Sequence, residues 1–182
     1  MNISNSNRLS FRLMDRNDAD LLFALDQDPE VMKYINGGTP NSRETIDDVF
    51  VPRMESYRNP DKGWGLWQVS STEENDYLGW ILIRPMEFFS DNPELDNLEI
   101  GWRFFQKSWG KGYATEAAKH ILEAISQQDE TIKAFSAIAD TDNLGSIAIM
   151  KKLDMAFVKS YHYKDAVLDC DVDLYKIELD RA

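Results

Sequence analysis

The stretch 98–125, LEIGWRFFQKSWGKGYATEAAKHILEAI, restricts the fold more than any other part of the chain. Leu98, Ile100, Trp102 and Phe104 alternate, which predicts a strand with one buried face. Two glycines, Gly110 and Gly112, break that pattern, and beyond them the apolar spacing becomes helical. Ala114, Ala117, Ala118, Ile121, Leu122 and Ile125 fall on one stripe, while Glu116, Lys119 and Glu123 face away. The first N–H groups of a helix lack intrahelical partners and together carry roughly half a positive charge. Glycine lets the backbone curl closely around an anion there, and Lys111 adds charge between the two glycines. The turn predicts a phosphate-bearing ligand, with a plain turn and helix start as the bland alternative. A P-loop does not fit, because the chain contains no GxxxxGK[ST]. A dinucleotide fingerprint does not fit either, since Gly110–Thr115 lacks the third small residue and follows hairpin-type strands.

The flanking sequence supplies a sheet and its covering helices. Leu9, Phe11 and Leu13 alternate in a first strand, and Asp15 or Asn17 can cap a helix running to about Leu25. A short helix over 28–35 starts with Pro29, NGGTP (36–40) breaks it, and 41–58 is helical in pattern with a kink expected at Pro52. Strands over 64–70 and 77–85 form a hairpin across TEEND, and 86–97 reads as an acidic loop. After the long helix come a buried strand (131–140), a helix (143–153) and two strands (155–163 and 172–179) joined by a turn near Asp165–Asp171. This order predicts an α+β fold, a mixed sheet covered by helices.

With 182 residues, 43 % of them apolar, the chain is expected to fold as one domain spanning 1–182. No apolar run approaches the roughly 18 residues a membrane span needs, and MNISNSNRLS has no apolar leader core. A lone Cys170 forms no internal disulfide and no Cys/His cluster has metal spacing, so the expectation is a cytoplasmic protein without metal or membrane partner. Net charge is −12, which argues against a nucleic-acid partner and requires any anionic ligand to find a local basic patch. Between 103 and 119, Arg103, Lys107, Lys111 and Lys119 outweigh Glu116 by +3. The alternative is that these are ordinary solvated lysines.

EIGWRFFQKSWGKGYATEAA, followed by ADTDNLGSIAIMKKLDM, resembles the GCN5-related N-acetyltransferases (GNAT), and most closely their branch acting on ribosomal-protein N-termini (RimJ/RimL-like). The opening RLSFRLMDRNDADLLFALDQDPEVMKYI is similar to that branch too, so the likeness covers about residues 8–179. It implies the GNAT fold, a mixed, splayed, largely antiparallel sheet of about seven strands flanked by helices. It implies acetyl-CoA as acyl donor, with the backbone of Gly110, Lys111, Gly112, Tyr113, Ala114 and Thr115 around the pyrophosphate. Trp102, Arg103 and Phe104 would line the pantetheine arm, Lys107 occupies the turn's usual Gln/Arg position, and Asn143 would bond the arm or cap the next helix. The tyrosine that protonates the leaving thiolate in this family is replaced by Met150, which shifts that role to Ser146, with Tyr113 and Tyr161 as weaker candidates. Asp154 stands where relatives carry glycine and is expected in a left-handed conformation.

The implied reaction is direct transfer of acetyl to a primary amine, which needs a group to take the amine's proton. Glu99 points opposite to Leu98, Ile100 and Trp102, so it is the candidate base, with a salt-bridge role as the alternative. Stretches 86–99 and 165–180 each carry a net −5, which favours a cationic small molecule or a peptide N-terminus as acceptor. Trp64, Trp67, Phe88 and Phe89 wall the acceptor cleft or pack the core. A CoA-binding sensor without catalysis is the alternative function, and monomer and homodimer both stay open.

Overall fold

The computed structural model describes residues 1–180. Its sheet has seven strands: β1 (Leu9–Leu13), β2 (Gly65–Ser71), β3 (Tyr77–Met86), β4 (Glu94–Phe104), β5 (Ala134–Asp140), β6 (Ala156–Lys164) and β7 (Asp169–Glu178). They lie in the order β1-β2-β3-β4-β5-β7-β6, and every pair is antiparallel except β4–β5. That one parallel pair needs a crossover, which α5 (Tyr113–Gln128) provides. The remaining helices are α1 (Ala19–Leu25), α2 (Pro29–Asn36), α3 (Arg43–Thr45), α4 (Val51–Tyr57) and α6 (Leu144–Lys152).

Alternation along the central strands sends two sets of side chains to two cores. Ile81 and Ile83 of β3 and Leu98 and Ile100 of β4 pack with Ala117, Ala118, Ile121 and Ile125 of α5. Leu82 faces the other way, where Leu66 joins Leu22, Ile46, Met54 and Tyr57 beneath α1 and α4. Glu99, Gly101 and Arg103, which alternate with the apolar residues of β4, share that second side with Arg84. β3 and β4 approach closely because Gly79 has no side chain: a Cβ there would lie 2.2 Å from the Arg103 carbonyl oxygen.

Local signals held at most boundaries. Asp15 forms a capping box with Asp18 over the 3-10 turn Arg16–Asp18 that leads into α1, and Asp28 caps α2 ahead of Pro29. The bend expected at Pro52 takes the form of a π turn over Ile46–Phe50 between α3 and α4. Proline has no N–H to donate back along the helix, and the wider turn relieves its ring of the carbonyl below. Asp154 is left-handed at φ 60, as its place after α6 requires. The expected loop 86–97 is shorter: β4 begins at Glu94, where Met86 pairs with it across a bulge. No alternation marks ELDN as a strand, because its carboxylates and Asn97 bond neighbours instead, including Glu94 to the Asn97 amide and Asp96 to Lys133. β7 likewise starts at Asp169 rather than 172. No described helix is long and apolar enough to cross a membrane.

Candidate active site

β4 and β5 are paired only where Asn97, Leu98 and Glu99 face Ala134, Phe135 and Ser136. Beyond that, β4 continues to Phe104 against β3 alone, and β5 continues to Asp140 against β7 alone. The strands part in a V with Glu99 in the last paired position. A cavity of about 210 Å³ occupies the opening, with Glu99, Trp102, Asn143 and Ser146 among its lining residues.

The turn leading to α5 has the expected geometry. Gly110 and Gly112 sit at φ 72 and 78, in the left-handed region, and Gly112 is the N-cap of α5 with no side chain bonded to it. A Cβ on Gly110 would meet no atom within 4 Å, and one on Gly112 would meet only an Arg8 nitrogen at 3.6 Å. The space over the turn is open, and Lys111 is exposed beside it. This fits a pyrophosphate approaching uncapped N–H groups of Tyr113, Ala114 and Thr115.

The charge around the turn differs from the expected patch. Arg103 turns its guanidinium to Asp26 at 2.6 Å, and Lys107 pairs with Asp76 at 3.1 Å. Arg8, from the distant start of β1, arrives instead: it pairs with Glu116 at 2.7 Å, donates to the Lys111 carbonyl at 3.1 Å and stacks over Tyr113 at 4.6 Å. Burial alone would raise the Glu116 carboxyl, but bonds from Ser6 and Arg8 hold it below the usual carboxylate range. The Phe104 side chain lies in the core, so only its backbone is available to a ligand.

Asn143, Ser146 and Trp102 come together across the opening. The Asn143 side chain accepts from the Ser146 backbone N–H at 3.1 Å and caps α6, and the Trp102 indole donates to the Ser146 hydroxyl at 3.2 Å. With that lone pair taken, the Ser146 hydroxyl proton is free to be donated elsewhere. Met150 is 1 % exposed within the core and does not line the cavity. Tyr113 and Tyr161 do not line it either, whereas Tyr57 and Tyr163 do. Burial pushes the Tyr57 hydroxyl up to about 12, and burial with the Glu99 and Asp165 charges also raises Tyr163.

On the far wall, charges are buried in pairs. Arg84 donates through Nε to Glu99 Oε2 at 2.7 Å, directly across the β3–β4 register. Asp26 accepts from Arg103 and from the Asn41 amide at 2.8 Å, and Arg53 of α4 pairs with Asp165 of the β6–β7 turn. Burial opposes ionisation of Asp165, yet N–H bonds from Val167 and Leu168, with the Arg53 charge, hold its carboxyl low. The acidic stretch 165–180 is largely taken up this way, since Asp169 and Asp171 bind His162 and Asp169 also binds Lys164. Trp64 and Trp67 pack in the core, Phe88 abuts the second core, and Phe89 covers Arg53 with its ring centre 3.8 Å away. Arg8, Asp26, Arg53 and Arg84 carry no local motif. Only the cross-strand pairing of Arg84 with Glu99 had a trace in the sequence, as two charges within opposed apolar strands.

A family model described as an acetyltransferase (GNAT) domain matches residues 8–156. The chain is 32 % identical over 158 residues to the uncharacterized protein YkkB of Bacillus subtilis, covering 85 % of this chain and 86 % of that protein. It is 28 % identical over 162 residues to the FsC-acetyl coenzyme A-N(2)-transacetylase of Aspergillus fumigatus, covering 86 % of this chain and 66 % of that one. A GNAT-family acetyltransferase structure from Bacillus anthracis matches with a TM-score of 0.75 at 24 % identity over 98 % of both chains. The RimL ribosomal L7/L12 alpha-N-protein acetyltransferase, solved in complex with coenzyme A, shares the fold with a TM-score of 0.74 at 16 % identity, again over 98 % of both. A parted β4–β5 pair above an open glycine turn, a domain match over most of the length and these relatives agree: the chain belongs to the GNAT family of N-acetyltransferases and is an acyltransferase.

Proposed function

We propose that the protein transfers acetyl from acetyl-CoA directly to a primary amine, on a protein N-terminus or a small molecule, with Glu99 taking the amine's proton and Ser146 supplying one to the departing sulfur. The observation that carries this reading is the parting of β4 and β5 at Glu99, which places a carboxylate at the apex of a cavity whose other wall holds Ser146. Acetyl-CoA supplies a thioester carbonyl: the C–N bond forms as the C–S bond breaks, and the electron pair leaves on sulfur. Arg84 occupies one Glu99 oxygen, and no protein donor among the described residues binds the other, which is free to accept a proton directly or through water. The unpaired edge of β4 beyond Glu99 offers backbone N–H groups to the developing oxyanion. Ser146 lines the cavity and accepts from the Trp102 indole, so its own O–H remains a donor for the departing sulfur.

Thiol release from acetyl-CoA across peptides, polyamines, aminoglycosides and amino acids tests the proposal. Release with one class supports it and names the acceptor. Binding of acetyl-CoA without release would favour the sensor reading, which the burial of Met150 keeps in view. Absence of both would overturn the assignment of the glycine turn.

A further inference from the structure

Arg84 is 7 % exposed, yet it uses only one of its five N–H bonds on the protein, from Nε to Glu99. Nη1 and Nη2 have no hydrogen-bond acceptor among the described residues, and neither is among the atoms sealed away from the cavity that Arg84 lines. These N–H groups face the cavity, where an entering acceptor can take the place of solvent on a charged donor. The Arg84 Cζ also lies over the Tyr57 and Phe89 rings, 5.4 and 5.2 Å from their centres, which together with the Glu99 bond holds the group in place. Its Nη1 and Nη2 form the planar fork that receives a carboxylate through two parallel bonds.

What lies next to that fork decides which carboxylate. The Arg84–Glu99 contact puts a cationic fork and a carboxylate side by side on the wall of one cavity. A ligand whose ammonium sits at Glu99 and whose carboxylate sits on the Arg84 fork must carry the two groups one or two carbons apart. The cavity offers little to a second cation, because Asp26 and Asp165 are already held by Arg103 and Arg53. Asp140, at the α6 end, accepts from the backbone N–H of Asp142. From this geometry we infer that the acceptor is a free amino acid, or another small amine with a carboxylate beside its nitrogen, and that Arg84 is the residue that selects it. This narrows the acetyl-transfer reading above and rests on it.

The test compares each free L-amino acid with its own carboxamide and with the corresponding decarboxylated amine, reading thiol release from acetyl-CoA. At least one free acid should exceed its amide by about 100-fold or more in kcat/KM, because a site built for a charged group rejects the analogue that lacks it. In Arg84→Lys, which keeps the charge beside Glu99 but loses the planar fork, the acid-to-amide ratio should collapse through a raised KM for the acid. That ratio is taken within one variant, so a loss of folded protein cancels. Equal turnover of acids and amides, or turnover confined to peptides, polyamines or aminoglycosides, would overturn the inference and leave acetyl transfer standing. Silence with every amine would overturn both. A ratio unchanged in Arg84→Lys would remove Arg84 from the selection.

Discussion

The glycine turn before α5 and the cavity between β4 and β5 are built in opposite ways. The proposed donor side is a short continuous segment, 110–115, that offers backbone amides and the open space over two glycines. Its nearby charges are partly exposed, and only Arg8 comes from far along the chain. The acceptor side is assembled from α1, α4, β3, β4 and the β6–β7 turn, and its working parts are buried side-chain pairs. A backbone device tolerates almost any side chain so long as the glycines remain. A buried ion-pair device fails if one partner is removed, because the other is left uncompensated.

The largest expected effect is at Glu99. Glu99→Gln keeps the shape and a hydrogen-bond acceptor for Arg84 but removes the proposed base, so kcat should fall by about 10²- to 10⁴-fold. Acetyl-CoA affinity, measured by calorimetry, should stay within about threefold if the donor side is independent of this pair. A full-strength kcat in a variant of lowered thermal stability would mean that Glu99 is only Arg84's structural partner.

Next comes the donor turn. Gly112 stands at φ 78, where a β-branched residue is strained by about 1–2 kcal/mol and its side chain would fill the space over the turn. Gly112→Val should raise the KM for acetyl-CoA about tenfold or more, with a much smaller change in the acceptor's KM. If acceptor binding suffers equally, the turn and the cavity are not separate devices and the comparison breaks.

The same contrast explains how much the sequence disclosed. The strand, turn and helix of 98–125 were legible because each signal is local: alternation, then glycine, then a helical stripe. Glu99 was legible as the polar residue of an alternating strand, whereas Asn143 and Ser146 were singled out only by the family resemblance. The parting of β4 from β5 was expected only by resemblance, since no residue of β4 records where its partner leaves. The partners of the charges could not be read at all. Arg103 lies four residues from Lys107 in a run that looks basic, yet folding sends one to Asp26 and the other to Asp76, 77 and 31 residues distant. Net charge over a segment counts side chains without their faces, and alternation in β4 sends Arg103 to the acceptor wall. The same holds for the acidic stretch 165–180, where Asp169 of β7 meets His162 and Lys164 of β6 across the hairpin.

The smallest expected effect is a pH signature confined to the acceptor side. Asp165 is held below its ordinary value, so its bonds to Arg53, Tyr163 and the Val167 and Leu168 amides stabilise the fold fully above the unfolded carboxyl's pKa of about 3.9. That contribution disappears as pH falls through the lower folded-state value. Asp165→Asn never has it, so the melting temperature of the unsubstituted protein should exceed the variant's by several degrees at pH 7, with the gap closing between about pH 5 and 2. The donor side supplies the control. Arg8 and Glu116 are partly exposed, so Glu116→Gln should give a smaller gap that shrinks as salt is added, whereas the Asp165 gap should resist salt because its pair is largely screened from solvent. A constant Asp165→Asn gap across the acid range would mean that the turn is held by the shape of its hydrogen bonds and not by its charge.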